Sequence, residues 1–183
     1  METQTITKTK WNLDPTHSEI GFKVKHMMIT NVSGSFGKFD VLVETEGNDF
    51  STATIDFTAE LDSISTGNND RDNHLKSGDF FDTAKYPSLR FVSTKLVKRD
   101  KGNFELHGDL VIRDVKRAVK LDVEYGGIGK DPWGNEKAGF ALTGKINRTD
   151  FNLSWNAALE TGGVLVSEEV RLYAEIQLIK QVS

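Results

Sequence analysis

The sequence predicts an all-β fold, an eight-stranded antiparallel β-barrel with one or two short helices capping an end. Apolar and polar residues alternate over about eight long segments, as in strands with one buried and one solvated face. Short turn sequences separate the segments, which favours pairing of successive strands. Long amphipathic strands can close into a barrel without free edges. A two-sheet sandwich is the alternative architecture.

The first half of the chain contains four predicted strands. Residues 18–26 alternate strictly, a second strand starts at Phe39, the third covers 53–61, and the fourth starts at Leu89. Segment 26–30 breaks the alternation, so we expect a single helical turn or an irregular connection there.

The second half contains four further strands. The alternation covers residues 104–112, 119–125, 138–146 and 170–178. The turn sequences Asp-Lys-Gly-Asn, Gly-Gly and Asp-Pro-Trp-Gly-Asn lie between them. Links this short indicate an up-and-down order of strands around the barrel.

The highly charged segment 71–82, RDNHLKSGDFFD, predicts a short helix. Asn69 can cap it, with Asp72 three residues later in a capping-box arrangement, and Gly78 can end it. About two helical turns are not stable alone in water, so this helix must dock, and we expect it to cover one end of the barrel. The apolar residues available for docking are Leu75, Phe80 and Phe81. A metal site from Asp72, His74 and Asp79 is disfavoured, because residues two apart on a helix point in different directions.

Composition limits the function classes. The 183 residues include no cysteine and carry a net charge of −4, which argues against disulfides, thiolate metal sites and nucleic acid as a partner. We expect a flexible segment 1–10 followed by one domain, residues 11–180. The N-terminus METQTITKTK has no apolar core, and no apolar run approaches the ~18 residues of a membrane span. The sequence therefore predicts a cytoplasmic protein without stable membrane insertion.

The inward face of the predicted barrel is almost wholly apolar, so the barrel either fills itself with side chains or encloses a ligand. Small residues that recur on this face leave room for a ligand, although they would also suit a filled barrel. These small residues are Ala53, Ala59, Gly108, Ala138, Gly144 and Ala174. Arg148 also falls on the inward phase, where a charge needs a partner. Asp150 or a polar ligand group could supply one.

Five sequence blocks resemble the YceI-like polyisoprenoid-binding family over residues 11–179. They are DPTHSEIGFKVKHMM, VSGSFGKFD, SISTGNNDRDNHLKSGDFFDTAKYPSLRF, GDLVIRDVKRAVKLDVE and GKINRTDFNLSWN. The resemblance implies an extended lipocalin-like barrel whose channel holds a polyisoprenoid, an isoprenoid quinone or a similar amphiphile. Family members resemble carriers or storage proteins, not enzymes, so no catalytic residue, metal or other cofactor is expected. Some members pair, so a homodimer is an expected partner. Many members are exported, and this chain resembles a cytoplasmic version.

The predicted lipid-binding residues line the inward face, the capping helix and the barrel ends. The apolar ones are Phe22, Val24, Phe39, Val41, Ile55, Phe57, Leu75, Phe80, Phe81, Leu106, Leu110, Leu121, Phe140, Leu142, Leu172 and Ile176. The polar ones, expected to meet a head group, are His26, Arg71 and Arg148. Two alternatives remain open. One is a ligand-free barrel that acts as a dimeric stress or interaction protein, and the other is an enzyme for a lipophilic substrate that uses His26 or His74 as acid or base.

Overall fold

The barrel wall is built from long antiparallel strands in a computed structural model that describes residues 7–159 and 163–182. Most strands of the described chain keep the alternation read from the sequence, and β8 alternates buried and half-buried residues along its whole length. The strands are β1 (Lys8–Leu13), β2 (Glu19–His26), β3 (Thr30–Phe36), β4 (Phe39–Glu46), β5 (Asp49–Glu60), β6 (Ile64–Ser65), β7 (Ser88–Lys98), β8 (Phe104–Ile112), β9 (Val115–Lys130), β10 (Glu136–Asn147) and β11 (Val166–Lys180). The α-helix α1 covers Asn69–Lys76.

The wall closes through eight positions. The strand order is β1-β4-β5-β7-β8-β9-β10-β11, and β11 pairs back with β1. The strands β2, β3 and β6 extend the wall beyond β1, β4 and β5. In the wall, β2 therefore continues the position of β1, β3 that of β4, and β6 that of β5. The prediction of an eight-stranded antiparallel barrel is confirmed, and the sandwich alternative is wrong.

The up-and-down order assigns every connection to one of two ends. The β2–β3 turn, the connection 66–87 with α1, and the described residues between β10 and β11 (148–159 and 163–165) lie at one end. The β4–β5 turn and the connections 99–103 and 131–135 lie at the other. Helix α1 therefore caps one end, as the sequence predicts.

The junction between β1 and β2 is a short 3₁₀-helix, Pro15–His17. Proline suits the first helical position because its fixed φ is helical and it lacks a backbone N–H. Asp14 caps the turn by accepting a hydrogen bond from the Thr16 N–H (3.2 Å), and it also binds Lys137 Nζ (2.8 Å) on β10. Strand β1 begins at Lys8, so residues 8–10 belong to the barrel and not to a flexible segment. Residues 1–6 of that expected segment lie outside the described residues.

The predictions for the two ends of α1 and for segment 26–30 need correction. The residue that caps α1 is Asn68, one position before the expected Asn69, and its Oδ1 accepts the Arg71 N–H (2.9 Å). Asp72 is buried and accepts hydrogen bonds from the Thr66 N–H (2.8 Å) and hydroxyl (2.6 Å), which ties α1 to the end of β6. The helix ends at Lys76, with Ser77 and not Gly78 as the C-cap.

Segment 26–30 is a tight hairpin turn and contains no helical turn.

Candidate functional site: an apolar channel in the barrel

The barrel interior contains a cavity of about 580 Å³, a volume typical of small-molecule sites. All the residues predicted to line a channel border this cavity except Phe39. Phe39 begins β4 and packs with its ring centroid 6.1 Å from that of Phe57, away from the cavity.

The small inward residues have different roles. Ala53 and Ala174 border the cavity, as expected if they leave room. The space at Gly108 is occupied instead, because a Cβ there would lie 2.3 Å from the Phe91 ring. Leu121 occupies the space at Gly144 in the same way. Neighbouring large side chains therefore narrow the channel at some of the positions where glycine seemed to widen it.

Aromatic residues close the end of the cavity that lies opposite α1. We call this cluster of Trp11, Phe50, Tyr125 and Phe140 the closed end. The Phe50 ring lies 4.9 Å from both Trp11 and Phe140, and Tyr125 stacks on Phe140 at 5.2 Å. Trp11 has no exposed surface, and its indole N–H donates to the Thr45 hydroxyl (3.0 Å). Burial raises the pKa of Tyr125, in keeping with an apolar environment.

Polar side chains border the cavity beneath α1. We call the border formed by Thr66, Asp70, Arg71 and His74 the open end. Asp70 and Arg71 are exposed, and the Arg71 guanidinium donates to the Thr66 hydroxyl and carbonyl, both at 2.7 Å. This end combines solvent access with hydrogen-bonding groups.

His74 is held in place on three sides at the open end. Its Nε2 lies 2.9 Å from an Asp79 carboxylate oxygen. The imidazole packs edge-on against Phe80 (5.1 Å between centroids) and Trp155 (4.6 Å). Sequence periodicity did not mark Trp155 or Thr66, because they lie in connections where no strand period fixes the side-chain direction.

Arg148 is a buried cation at the edge of the cavity. Its side chain donates to four backbone carbonyls, those of Ser167 (2.8 Å), Leu153 (2.5 Å), Trp155 (2.9 Å) and Val166 (3.3 Å). Burial lowers the pKa of this guanidinium, but an arginine stays charged in proteins.

The expected carboxylate partner of Arg148 is not observed. Asp150 contributes its backbone carbonyl to Arg117 (3.1 Å), and no carboxylate among the described residues forms an ion pair with Arg148. Backbone carbonyls are therefore the hydrogen-bond partners of the positive charge, and the Glu168 carboxylate acts on it through space.

His26 completes the polar groups that the sequence singled out. It is the last residue of β2, pairs with Val166 and Thr30, and borders the cavity on the same side as α1. The structure therefore places His26, Arg71 and Arg148 at one end of the cavity.

Two classes of feature are absent from residues 7–159 and 163–182. No three His, Asp or Glu side chains there are grouped so that they could hold a metal ion. No helix in this part of the chain is long and apolar enough to cross a membrane.

Comparison with known proteins places the chain in a family. A model described as YceI-like domain matches residues 11–178. A UPF0312 protein of Staphylococcus aureus (strain MSSA476) is 42% identical over 170 residues, which cover 92% of this chain and 96% of that protein. A YceI protein of Campylobacter jejuni has a crystal structure that matches over 100% of both chains, with 33% identity and a TM-score of 0.75. A polyisoprenoid binding domain from Saccharophagus degradans has the same fold, with 14% identity, a TM-score of 0.65, and coverage of 93% of this chain and 98% of that one.

The closed eight-stranded wall, the apolar cavity and the helix over one end define a lipocalin-like barrel protein. Within that class, the match over nearly the whole chain is specific. The chain belongs to the YceI-like family.

Proposed function

We propose that the protein binds a long apolar lipid in the barrel cavity and carries or stores it. The ligand class is a polyisoprenoid, an isoprenoid quinone or a similar amphiphile. One observation carries this proposal: the cavity is walled by apolar side chains, closed by aromatic rings at one end and bordered by polar groups at the other. An amphiphile with an apolar tail and a polar head has the matching distribution of polarity.

The energetics explain why such a lipid needs a carrier. Burial of one five-carbon isoprene unit stabilises it by about 3–4 kcal/mol relative to water, at about 0.8 kcal/mol per methylene. This gain nearly cancels relative to a bilayer, where the tail is already in an apolar environment. The barrel therefore does not need to outcompete a membrane strongly, and it allows the lipid to cross water.

The distribution of apolar and polar residues along the cavity favours one orientation of a bound lipid. The tail lies toward Phe50 and Phe140, where every nearby group is apolar or aromatic. The head lies near Arg148, His26 and Arg71, where the buried guanidinium favours an oxygen-rich group.

The fold is shared with a polyisoprenoid binding domain, which supports the capacity of this kind of barrel to enclose such a lipid. The ligand-free alternative requires a barrel filled by side chains, and a cavity of about 580 Å³ disfavours it. The enzyme alternative has no supporting observation beyond His74 itself, because the Asp79 contact and the two aromatic rings that orient its imidazole are equally compatible with a binding site. We therefore propose a binding protein. The homodimer and the cytoplasmic location stay predictions of the sequence.

The direct test is organic extraction of the natively purified protein, followed by mass spectrometry of the extract. A stoichiometric isoprenoid, quinone or other long-chain lipid supports the proposal and identifies the ligand class. An empty extract, together with no uptake of added quinones or polyprenols, overturns it.

Phe57→Arg tests whether the cavity is the binding site. Phe57 borders the cavity on β5, and a guanidinium there must lie among apolar side chains, which is costly. We expect the variant to fold and to lose lipid loading. Thr54→Arg is the matched control, because Thr54 is exposed on the outer face of the same strand, opposite Glu44. A folded Phe57→Arg protein that loads as well as the control contradicts the site.

A further inference from the structure

A row of cations crosses the outer wall of the barrel. Lys145 on β10 pairs directly with Arg171 on β11, and Arg171 pairs with Lys23 on β2. The register of β9 with β10 places Lys120 beside Lys145. All four side chains are exposed and border one shallow groove on the outside of the wall. We call Lys23, Lys120, Lys145 and Arg171 the basic row.

The like charges of the basic row oppose the pairing of its strands, although Lys23 Nζ also lies over the Tyr173 ring, 5.8 Å from its centroid. Like charges opposite one another on neighbouring strands destabilise a sheet. Among the described residues, one carboxylate lies within ion-pair distance of the row, that of Glu169, at 3.9 Å from Lys145 and 3.7 Å from Arg171. Asp122 and Asp150 also border the groove but pair with no member of the row. A surplus of positive charge therefore persists here, although the whole chain has a net charge of −4.

A second unusual feature lies at the end of the barrel next to this row. The β2–β3 turn exposes 42% of Met27, 53% of Met28 and 77% of Ile29. We call residues 27–29 the apolar turn. Met27 and Met28 also have left-handed φ angles of 53° and 62°, which long side chains adopt at an energetic cost. Large apolar side chains exposed together at a surface mark a contact with a protein or a membrane.

The basic row and the apolar turn belong to one surface. Lys23 and Lys25 lie on the outer face of β2, four and two residues before Met27. The Met27 N–H donates to the carbonyl of Leu165 (2.8 Å), a residue that borders the cavity. The surface therefore begins on the outer wall and reaches the open end of the channel.

We propose that the basic row and the apolar turn dock the protein on an anionic lipid membrane, with the open end toward the bilayer. Exposed lysine and arginine attract anionic head groups. Apolar side chains at a tip enter the boundary between head groups and acyl chains. The inference rests on the proposed function, since a docked open end serves the exchange of a lipid cargo.

Vesicle co-sedimentation tests the docking surface. The wild-type protein should bind vesicles of phosphatidylcholine mixed with phosphatidylglycerol and leave vesicles of phosphatidylcholine alone largely unbound. Added salt should weaken binding, because it screens exposed charges. The variant Lys23→Gln/Lys145→Gln/Arg171→Gln should lose at least about tenfold in affinity, because three attractions to the surface are removed.

Two further variants separate the two features. Met28→Asn/Ile29→Ser should weaken binding to the same vesicles, and asparagine tolerates the left-handed backbone at position 28. The control Lys98→Gln/Lys101→Gln/Lys130→Gln removes three exposed charges at the closed end and should bind as the wild type does.

The proposal is overturned if the wild type does not bind the mixed vesicles, or if the control and the basic-row variant lose affinity equally. Binding of an acidic protein to the basic row, with no binding of vesicles, also overturns it. Loading from detergent micelles, which needs no membrane, separates the two proposals. A protein that loads lipid but does not bind vesicles contradicts the docking alone, and one that binds vesicles but never loads contradicts the proposed function alone.

Discussion

Gly108 shows how a single residue sets the width of the channel. It lies on the inward face of β8, and the Phe91 ring of β7 packs over it. A Cβ at this position would lie 2.3 Å from that ring and 2.6 Å from the backbone oxygen of Val92. The ring can turn away from such a contact, but the backbone of a paired strand can move only together with its neighbours.

Replacing Gly108 by alanine should therefore destabilise the barrel. We expect Gly108→Ala to lower the free energy of unfolding by about 1–3 kcal/mol, the usual cost of overpacking a core. Denaturation in urea measures this change. In a double-mutant cycle, the alanine should cost less in a Phe91→Leu background, by the share of the loss that the ring contact causes.

Gly139→Ala is the control for this prediction. No atom lies within 4 Å of a Cβ built at Gly139, so this change should be neutral or slightly stabilising, since alanine restricts the unfolded chain. Equal losses for the two alanine variants would show that steric contact at Gly108 is not the cause.

Arg148 shows what sequence reasoning at the residue scale can and cannot reach. Its inward phase on β10 predicts a position at the cavity, and the structure has it there. The partner was not predictable, because the four carbonyls that it binds belong to residues 153–167. Two of the carbonyls lie in an irregular loop, whose path has no periodic signal in sequence, and two lie at the start of β11.

At the scale of elements, Asp14 fastens the junction of β1 and β2 to β10. Its carboxylate accepts hydrogen bonds from Lys137 (2.8 Å) and from the Thr16 hydroxyl (2.7 Å), and Asp14 is itself buried. The bond from Lys137 holds the pKa of Asp14 well below its usual range. The same bond raises the pKa of Lys137.

This pair predicts a pH-dependent contribution to stability. Because the folded pKa of Asp14 lies below the unfolded value of about 3.9, the contribution is complete well above pH 4. It is lost as the pH falls through the folded pKa. Because the pKa of Lys137 is raised in the folded state, its positive charge contributes fully to stability up to about pH 10, and this contribution is lost only at higher pH.

Asp14→Asn should lower the free energy of unfolding by about 1.5–3 kcal/mol at neutral pH, since hydrogen bonds to a charged group contribute about that much. The difference from the wild type should shrink below about pH 4. Urea denaturation at a series of pH values measures it, with the exposed Asp62→Asn as control. A difference that stays constant down to pH 3 would contradict the role of the carboxylate charge.

The elements differ in how far the sequence predicted them. Strict alternation identified β2, β4, β5 and the strands β7 to β11, because each has one face in the apolar interior, whereas β1, β3 and β6 were not predicted. The helix cap was placed one residue late, since Asn68 and Asn69 are both competent caps. Asp72 accepts hydrogen bonds from Thr66, six residues earlier, and these bonds replace the expected capping box. The turn that separates β1 from β2 is held by the bond from Lys137 to Asp14, a contact between distant parts of the chain.

At the scale of the whole molecule, the two ends of the barrel are unlike. The closed end is sealed by Trp11 and the rings around Phe50, and β1 pairs there with both β4 and β11. The open end is covered only by α1 and by loops, with exposed polar residues at the edge of the cavity. An apolar tail that enters the barrel should therefore pass the open end, because exposed polar residues border the cavity there beside the cluster of His74, Phe80 and Trp155.

A bulky group at the open end should consequently slow lipid uptake. The chain contains no cysteine, so one introduced thiol can be labelled specifically. Asp70 is exposed in the first turn of α1 and borders the cavity, whereas Asp100 is exposed in the β7–β8 connection at the closed end. Asp70→Cys and Asp100→Cys remove the same charge at opposite ends and form a matched pair.

After coupling to a polyethylene-glycol maleimide, the Asp70→Cys protein should take up a quinone from detergent micelles several-fold more slowly than before labelling. The labelled Asp100→Cys protein should keep its unlabelled rate. Extraction and mass spectrometry at successive times give both rates. Because a label at position 70 obstructs the passage without changing the interior, the final amount of bound quinone should be unchanged. Slowing by the label at position 100 alone would mean that the lipid enters past Trp11, and that the end of the cavity beneath α1 is not the entrance.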